Sequence, residues 1–232
     1  MLRFSDPPLM PGTGESPQER FAHALPLAGT PGQAYVARRG VPVEVADAAG
    51  VRFDRNFGGR PAVLASLRDQ GDRLVSVHGR FLHNVRGQNK MLTIGAGGGM
   101  VSVLGGWRTD PLILVEGLFD ALSLATCGWG SVATIGRWAP WLPEVSAGRV
   151  VWLAFDASRP GESEVALYAT RLREADVHRL APPPHCKDWS TALVKRGRST
   201  VTRWVRDQLA GRATTSIEAR FSLHHVEVSD PT

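Results

Sequence analysis

Two short apolar runs, each stopped by a carboxylate, limit what this chain can fold into more than any other feature. Leu112-Ile113-Leu114-Val115 leads into Glu116-Gly117, and Val150-Val151-Trp152-Leu153-Ala154-Phe155 leads into Asp156. A strand with no polar position has no face to give to water, so it must be buried on both sides. Parallel strands joined by crossover helices meet that demand. Helical stretches predicted at 117–127, 141–145 and 161–175 alternate with these strands and with shorter ones at 131–135 and 177–180. A helix pair is expected at 190–195 and 199–209. The alternation predicts a parallel sheet with helices on both faces.

Upstream the pattern is different. Ser16-Pro17-Gln18-Glu19 is a capping box with proline at the first helical position, predicting a helix to about Leu25. Thr30-Pro31-Gly32-Gln33 repeats the device, for a helix ending at Gly40, and a third short helix is expected over 43–49. Period-two patterning follows. Strands are expected at 62–67 and 73–78 around the turn Asp69-Gln70-Gly71-Asp72, with weaker ones at 91–94 and 100–104. The run Gly95-Ala96-Gly97-Gly98-Gly99 lacks the Gly-Lys-Ser/Thr of a phosphate-binding P-loop, which argues against an attached helicase motor. The expected class is therefore α/β: a small, basic α+β subdomain followed by a parallel-sheet domain. The expected divisions are an arm and short helix at 1–29, the basic subdomain at 30–108, the sheet domain at 109–210 and a tail at 211–232.

Composition closes off several classes. With 232 residues, 43% hydrophobic, the chain can build one large domain or two small ones and is too apolar for a disordered protein. It holds no run of eighteen apolar residues, so no membrane-spanning helix is expected. Prolines and acids stand where a signal peptide needs an apolar core. Cys127 and Cys186 are too few for a disulfide framework, and the sequence has no Cys-x-x-Cys pair for a zinc ribbon. A cytoplasmic protein is the expectation. The charge is uneven. Lys+Arg is 27 and Asp+Glu 22, a net of +5. Residues 51–100 hold Arg52, Arg55, Arg60, Arg68, Arg73, Arg80, Arg86 and Lys90 against Asp54, Asp69 and Asp72, so 8 − 3 = +5, and the remainder is 19 − 19 = 0. That window suits a polyanion, either nucleic acid or nucleotide phosphates. The alternative is a solvated, arginine-rich face of a protein from a GC-rich genome.

Glu116 and Asp156 stand at the C-terminal ends of two parallel strands, the edge where such sheets bind ligands. Asp120 follows Glu116 by one helical turn and can face the same way. Three converging carboxylates repel one another unless a cation sits among them, and hard oxygen donors favour Mg²⁺ or Mn²⁺. The competing reading is that each acid caps the next helix.

These residues carry a resemblance. Val115-Glu116-Gly117-Leu118-Phe119-Asp120-Ala121-Leu122-Ser123 resembles the first motif of TOPRIM domains, which DnaG-type primases, topoisomerases and some nucleases share. Ala133-Thr134-Ile135-Gly136 resembles the next, glycine-containing strand. Ala154-Phe155-Asp156-Ala157-Ser158-Arg159-Pro160-Gly161 resembles the Asp-x-Asp motif, and His185-Cys186-Lys187-Asp188-Trp189 the late Lys-Asp-Trp segment of primase-like members. Upstream, Ala34 to Val41, Gly59 to Leu64, Gly71 to Arg80 and Asn89-Lys90-Met91-Leu92 are similar to elements of the primase core. The likeness covers about 111–195 and, more loosely, 30–95.

The resemblance implies a metal-dependent, primase-like nucleotidyltransferase that makes primers on single-stranded DNA, of a phage or plasmid, with nucleoside triphosphates as substrates and a helicase or other replication protein acting in trans. It implies Glu116, Asp120 and Asp156 as catalytic ligands of Mg²⁺ or Mn²⁺, and Arg60, Arg80, Lys90 and Lys187 as contacts to nucleic acid or nucleotide. Asp188 is a further acidic candidate. Two departures stand out. Ser158 replaces the second aspartate of Asp-x-Asp, with Glu162 a turn later as the expected compensation. The zinc module of replicative primases has no counterpart, and no zinc is expected. The alternatives are a TOPRIM nuclease using the same acids, or a catalytically impaired nucleic-acid-binding module. A topoisomerase is disfavoured, since only Tyr35 and Tyr168 could serve as its nucleophile.

Overall fold

The structure is a computed structural model and describes residues 14–211. Two five-stranded sheets carry the site, built from consecutive parts of the chain.

The first sheet begins behind helix α1 (Pro17–His23), where the expected capping box forms in full: Ser16 Oγ accepts the Glu19 N–H and the Glu19 carboxylate accepts the Ser16 N–H. Strand β1 (Leu25–Pro26) leads to α2 (Pro31–Ala37) and α3 (Val43–Ala48). Thr30 does not repeat the cap of Ser16; its hydroxyl donates instead to the Leu27 carbonyl at 2.6 Å. Strands β2 (Arg52–Phe57), β3 (Arg60–Arg68), β4 (Leu74–Phe81) and β5 (Met91–Gly95) complete an antiparallel sheet in the order β1-β2-β3-β4-β5. Alternation sorts β3: Ala62 and Leu64 pack with Phe57, Val77 and Phe81 on one face, while Val63, Ala65 and Leu67 join the main core on the other. Gly79 lets the Phe57 ring lie against β4, because a Cβ there would overlap it.

Strand β6 (Val101–Val103) lies on the amino-terminal side of the expected division at 108, yet it pairs with the second sheet. That sheet adds β7 (Leu112–Val115), β8 (Ser131–Ala133), β9 (Val150–Leu153) and β10 (Asp176–Arg179), in the order β10-β9-β7-β8-β6. The four later strands are parallel, as expected, and only the β6 edge is antiparallel. Helices α4 (Leu118–Thr126), α7 (Trp189–Arg196) and α8 (Arg198–Ala210) contribute to the core on one face, and α6 (Arg159–Arg171) and α5 (Leu142–Ser146) to that on the other. The expected α/β class with both sheet faces covered is what forms. The β7 run is buried at all four positions, as its sequence requires.

The two sheets are joined. Arg68, at the end of β3, exchanges both backbone hydrogen bonds with Met100, just before β6. Tyr35 of α2 meets Phe119 of α4 edge-on at 5.6 Å between ring centres. No described helix is long and apolar enough to cross a membrane. The expected arm over residues 1–13 and the tail beyond 211 lie outside the described residues.

Candidate active site

Glu116 follows β7, Asp120 sits in the first turn of α4 and Asp156 lies three residues past β9. The parallel register of β7 and β9 brings these strand ends to one edge. There the Asp156 N–H donates to Glu116 Oε1 at 3.0 Å, tying the two loops together.

The loop from 185 to 189 closes the site. Asp120 Oδ1 accepts the N–H groups of Trp189 and Ser190, at 3.0 and 3.2 Å. Trp189, fully buried, donates its indole N–H to the Ala154 carbonyl and so clamps α7 to the end of β9. Lys187 Nζ reaches Asp156 Oδ2 at 3.2 Å, and its carbonyl accepts the Ala157 N–H. Asp188 caps α7 by accepting the Thr191 N–H at 2.6 Å.

The acids are electrostatically strained. Burial, then the charge of Asp156, pushes the Glu116 carboxyl up to about 7. Burial, then Asp188 and Asp156, takes Asp120 to about 7 despite its two backbone donors. Asp156 is raised by burial and held back by Lys187. An ordinary surface carboxylate is fully ionised at neutrality; here burial first, and the neighbouring carboxylates second, hold the acids back from ionising.

Glu162, expected to compensate for Ser158, is engaged in an ion pair on the rim of the site. Its carboxylate pairs with Arg179 at 2.7 Å, while that guanidinium also donates to the Leu153 and Asp156 carbonyls. Ser158 caps α6 by accepting the Gly161 N–H at 3.3 Å. The carboxylate that sequence reasoning missed is Glu164. It shares the inward face of α6 with Gly161, Val165 and Tyr168, and its charge raises both Glu116 and Tyr168. Its Oε2 is buried with no hydrogen-bond partner, and burial and Asp156 raise its own carboxyl. The signal was the i, i+3 spacing from Gly161, whose absent side chain leaves room for Glu116 Oε1.

The site offers only hard oxygen donors, and a divalent cation would relieve their repulsion, so the donor chemistry fits Mg²⁺ or Mn²⁺. Among the described residues, however, no three acid, histidine or cysteine groups already stand in metal-holding geometry. Backbone donors and Lys187 hold the carboxylates, and a cation would have to displace the ammonium group from Asp156.

The expected basic contacts lie on the first sheet. Arg60 stacks its guanidinium 3.5 Å from the Phe81 ring centre and donates to the Asn89 carbonyl at 2.6 Å. It thereby fixes the exposed hairpin at 83–90 that displays Lys90. Arg80 Nε donates to Tyr35 Oη at 3.4 Å. Arg39, unnamed as a site residue from sequence, donates to the same hydroxyl at 3.0 Å and lies 4.2 Å from the centre of the Phe119 ring, next to Asp120. The structure thus gathers Glu116, Asp120, Asp156, Lys187 and Asp188, and sets Arg60, Arg80 and Lys90 on the neighbouring sheet.

Comparison with known proteins agrees with this architecture. A family model described as a domain of unknown function (DUF7146) matches residues 12–101. No curated protein matches the chain. Among solved structures, a DNA primase domain from Pseudomonas aeruginosa is 17% identical, with a TM-score of 0.64 over 91% of this chain and 83% of that one. The DnaG primase catalytic domain bound to ssDNA is 18% identical, with a TM-score of 0.62 over 89% and 86%. The primase fragment of the bacteriophage T7 primase-helicase is 22% identical, with a TM-score of 0.54 over 75% and 72%. The chain has the core fold of DnaG-type primases.

Proposed function

We propose that this protein is a metal-dependent primase-like nucleotidyltransferase acting on single-stranded DNA with nucleoside triphosphates. The observation that carries the proposal is the meeting of Glu116, Asp120 and Asp156, from three separate elements, at the ligand-binding edge of a primase-type core. When bound, a divalent cation supplies charge neutralisation and Lewis-acid activation at the transferring phosphoryl group. The chain supplies the rest. The Asp156 backbone N–H holds the Glu116 carboxylate in place. Asp120 is oriented by the first N–H groups of α7. Lys187 offers a mobile cation, 65% exposed, to an incoming phosphate once it leaves Asp156. Arg39 and Arg80 converge on Tyr35 beside the acids and would grip phosphate.

A second reading is a catalytically impaired nucleic-acid-binding module. It is supported by Ser158 serving as a helix cap and by Glu162 being committed to Arg179. A primer-synthesis assay on single-stranded DNA separates the two. It uses labelled ribo- and deoxyribonucleotides with Mg²⁺ or Mn²⁺, and compares wild type with Glu116→Ala. New product that the variant loses is the expected result. Shortened template, lost in the variant, would point to a nuclease. DNA binding without either product would leave the binding module.

A further inference from the structure

The sequence assigned the whole charge excess to residues 51–100, but the fold creates a second basic surface. Residues 195–206 contain Lys195, Arg196, Arg198, Arg203 and Arg206 and no acid. All five side chains are exposed, and none pairs with a carboxylate among the described residues. Lys195 and Arg196 end α7, and Arg198 begins α8 across the single residue Gly197. Ser199, Arg203 and Arg206 follow at i, i+4 and i+7 on the face of α8 opposite buried Val201 and Val205. The helix packs as an ordinary amphipathic element, and its outer face carries Arg203 and Arg206, with exposed Asp207 the one acid beside them.

This corner adjoins the site. The turn after α2 packs on α7, with the Cβ position of Gly40 3.3 Å from Leu193 and 3.8 Å from Val194. Exposed Arg38 and half-buried Arg39 therefore stand between the Tyr35 cluster and the α7–α8 corner. From its first residue beside Asp120 to its last, α7 spans about 12 Å.

We propose that the α7–α8 corner is a second contact surface for the phosphate backbone of single-stranded nucleic acid, continuous with the acid site through Arg38 and Arg39. This rests on the nucleic-acid reading above. The surface is charged, with small hydroxyls at Ser199 and Thr200 and one large exposed apolar side chain, Val194. Cations with no carboxylate partner among the described residues, set along a helix and its corner, suit a polyanion read by charge alone.

The test is fluorescence anisotropy with oligothymidylates of about 4 and about 20 nucleotides, over a salt series. Wild type is compared with K195A/R196A/R198A and, separately, with R203A/R206A, whose exposed positions leave the core intact; thermal melts verify folding. Wild type should bind the long strand more tightly and with a steeper salt dependence. Each phosphate contact removed should lower the slope of log K against log salt by about 0.7. The triple variant should thus lose up to about 2 in slope, together with the advantage of the long strand, and bind the short strand as wild type does. A variant that keeps the slope and the length advantage overturns the proposal. So does poly-glutamate that binds wild type as tightly as the long strand, which would assign the corner to acidic polypeptides. If wild type binds the short strand but gains nothing from length, the corner fails and the nucleic-acid reading stands. Binding of neither strand fails both.

Discussion

At the residue scale, the site is governed by carboxyl groups that resist ionisation. Glu116 and Asp120 titrate near 7 in the folded protein, against 4.5 and 3.8 for unperturbed groups. The folded state therefore holds more protons than the unfolded state between those values. The stability they contribute is complete below about pH 4 and lost as pH rises through 7. Buried His78 acts in the opposite sense. Its imidazole, bonded to Thr93 and pushed down to about 4 by burial, contributes stability that is complete above 6.5 and lost as pH falls through 4. We expect the metal-free melting temperature to fall between pH 6.5 and 8, a range over which the opposing contribution of His78 fades as the unfolded imidazole loses its proton. Glu116→Gln and Glu164→Gln should flatten that fall, and Mn²⁺ should raise the melting temperature more at pH 8 than at pH 6. Calorimetry across the pH series checks this; a flat wild-type profile would mean that burial and neighbouring charge do not raise these carboxyls as described. Ser158 gives a second expectation. Its hydroxyl caps α6, so Ser158→Ala should cost about 1 kcal/mol. Aspartate caps equally well, so Ser158→Asp should keep the fold and strengthen Mn²⁺ binding in a thermal-shift titration.

At the element scale, α6 is placed by one glycine. A Cβ on Gly161 would overlap the Asp156 carbonyl oxygen and stand 3.0 Å from Glu116 Oε1. Replacing a helical glycine by alanine ordinarily stabilises, by up to about 1 kcal/mol. Here the backbone overlap outweighs that gain. Gly161→Ala should destabilise by about 1–3 kcal/mol in urea unfolding, and should weaken Mn²⁺ binding because Asp156 must move. A stabilised variant would show that the loop after β9 yields freely. The sequence made most elements legible: the capping box of α1, the buried run of β7 and the alternation in β3 each follow a local rule. It missed β2, whose charged residues Arg52, Asp54 and Arg55 mask a strand that buries only Phe53 and Phe57. It also ran α6 to residue 175, where the helix ends at Arg171.

At the scale of the whole molecule, one hydrophobic core runs from the first sheet into the second, and Tyr35 sits where the two halves meet. Tyr35 packs on Phe119 and accepts hydrogen bonds from Arg39 and Arg80, so one side chain links the basic sheet to the helix that carries Asp120. Tyr35→Ala should cost about 3 kcal/mol and weaken the coupling between the halves. All seven tryptophans lie at Trp107 or beyond, after β6, so their fluorescence reports the second sheet. In wild type the fluorescence transition should coincide with loss of amide protection in β3 and β4, and in the variant the two should separate. Coincidence in both proteins would place the coupling elsewhere, in the rest of the shared core and at the Arg68–Met100 bridge.

Local chemistry thus determined much of this protein. Uninterrupted apolar runs demanded a doubly covered parallel sheet, the acids at the ends of those runs had to share an edge, and cap and turn residues set where helices begin. Partner choice was decided only in three dimensions. Glu162 and Glu164 lie two residues apart on one helix, and rotation about the helix axis alone sends the first to Arg179 and the second toward Glu116. The charge of residues 195–206, cancelled in a sum over the chain, became a surface because the core buries one face of α8 and leaves the arginines outside. Sequence fixes which groups exist and how they repeat, whereas distances between groups far apart in the chain exist only once the sheets have packed.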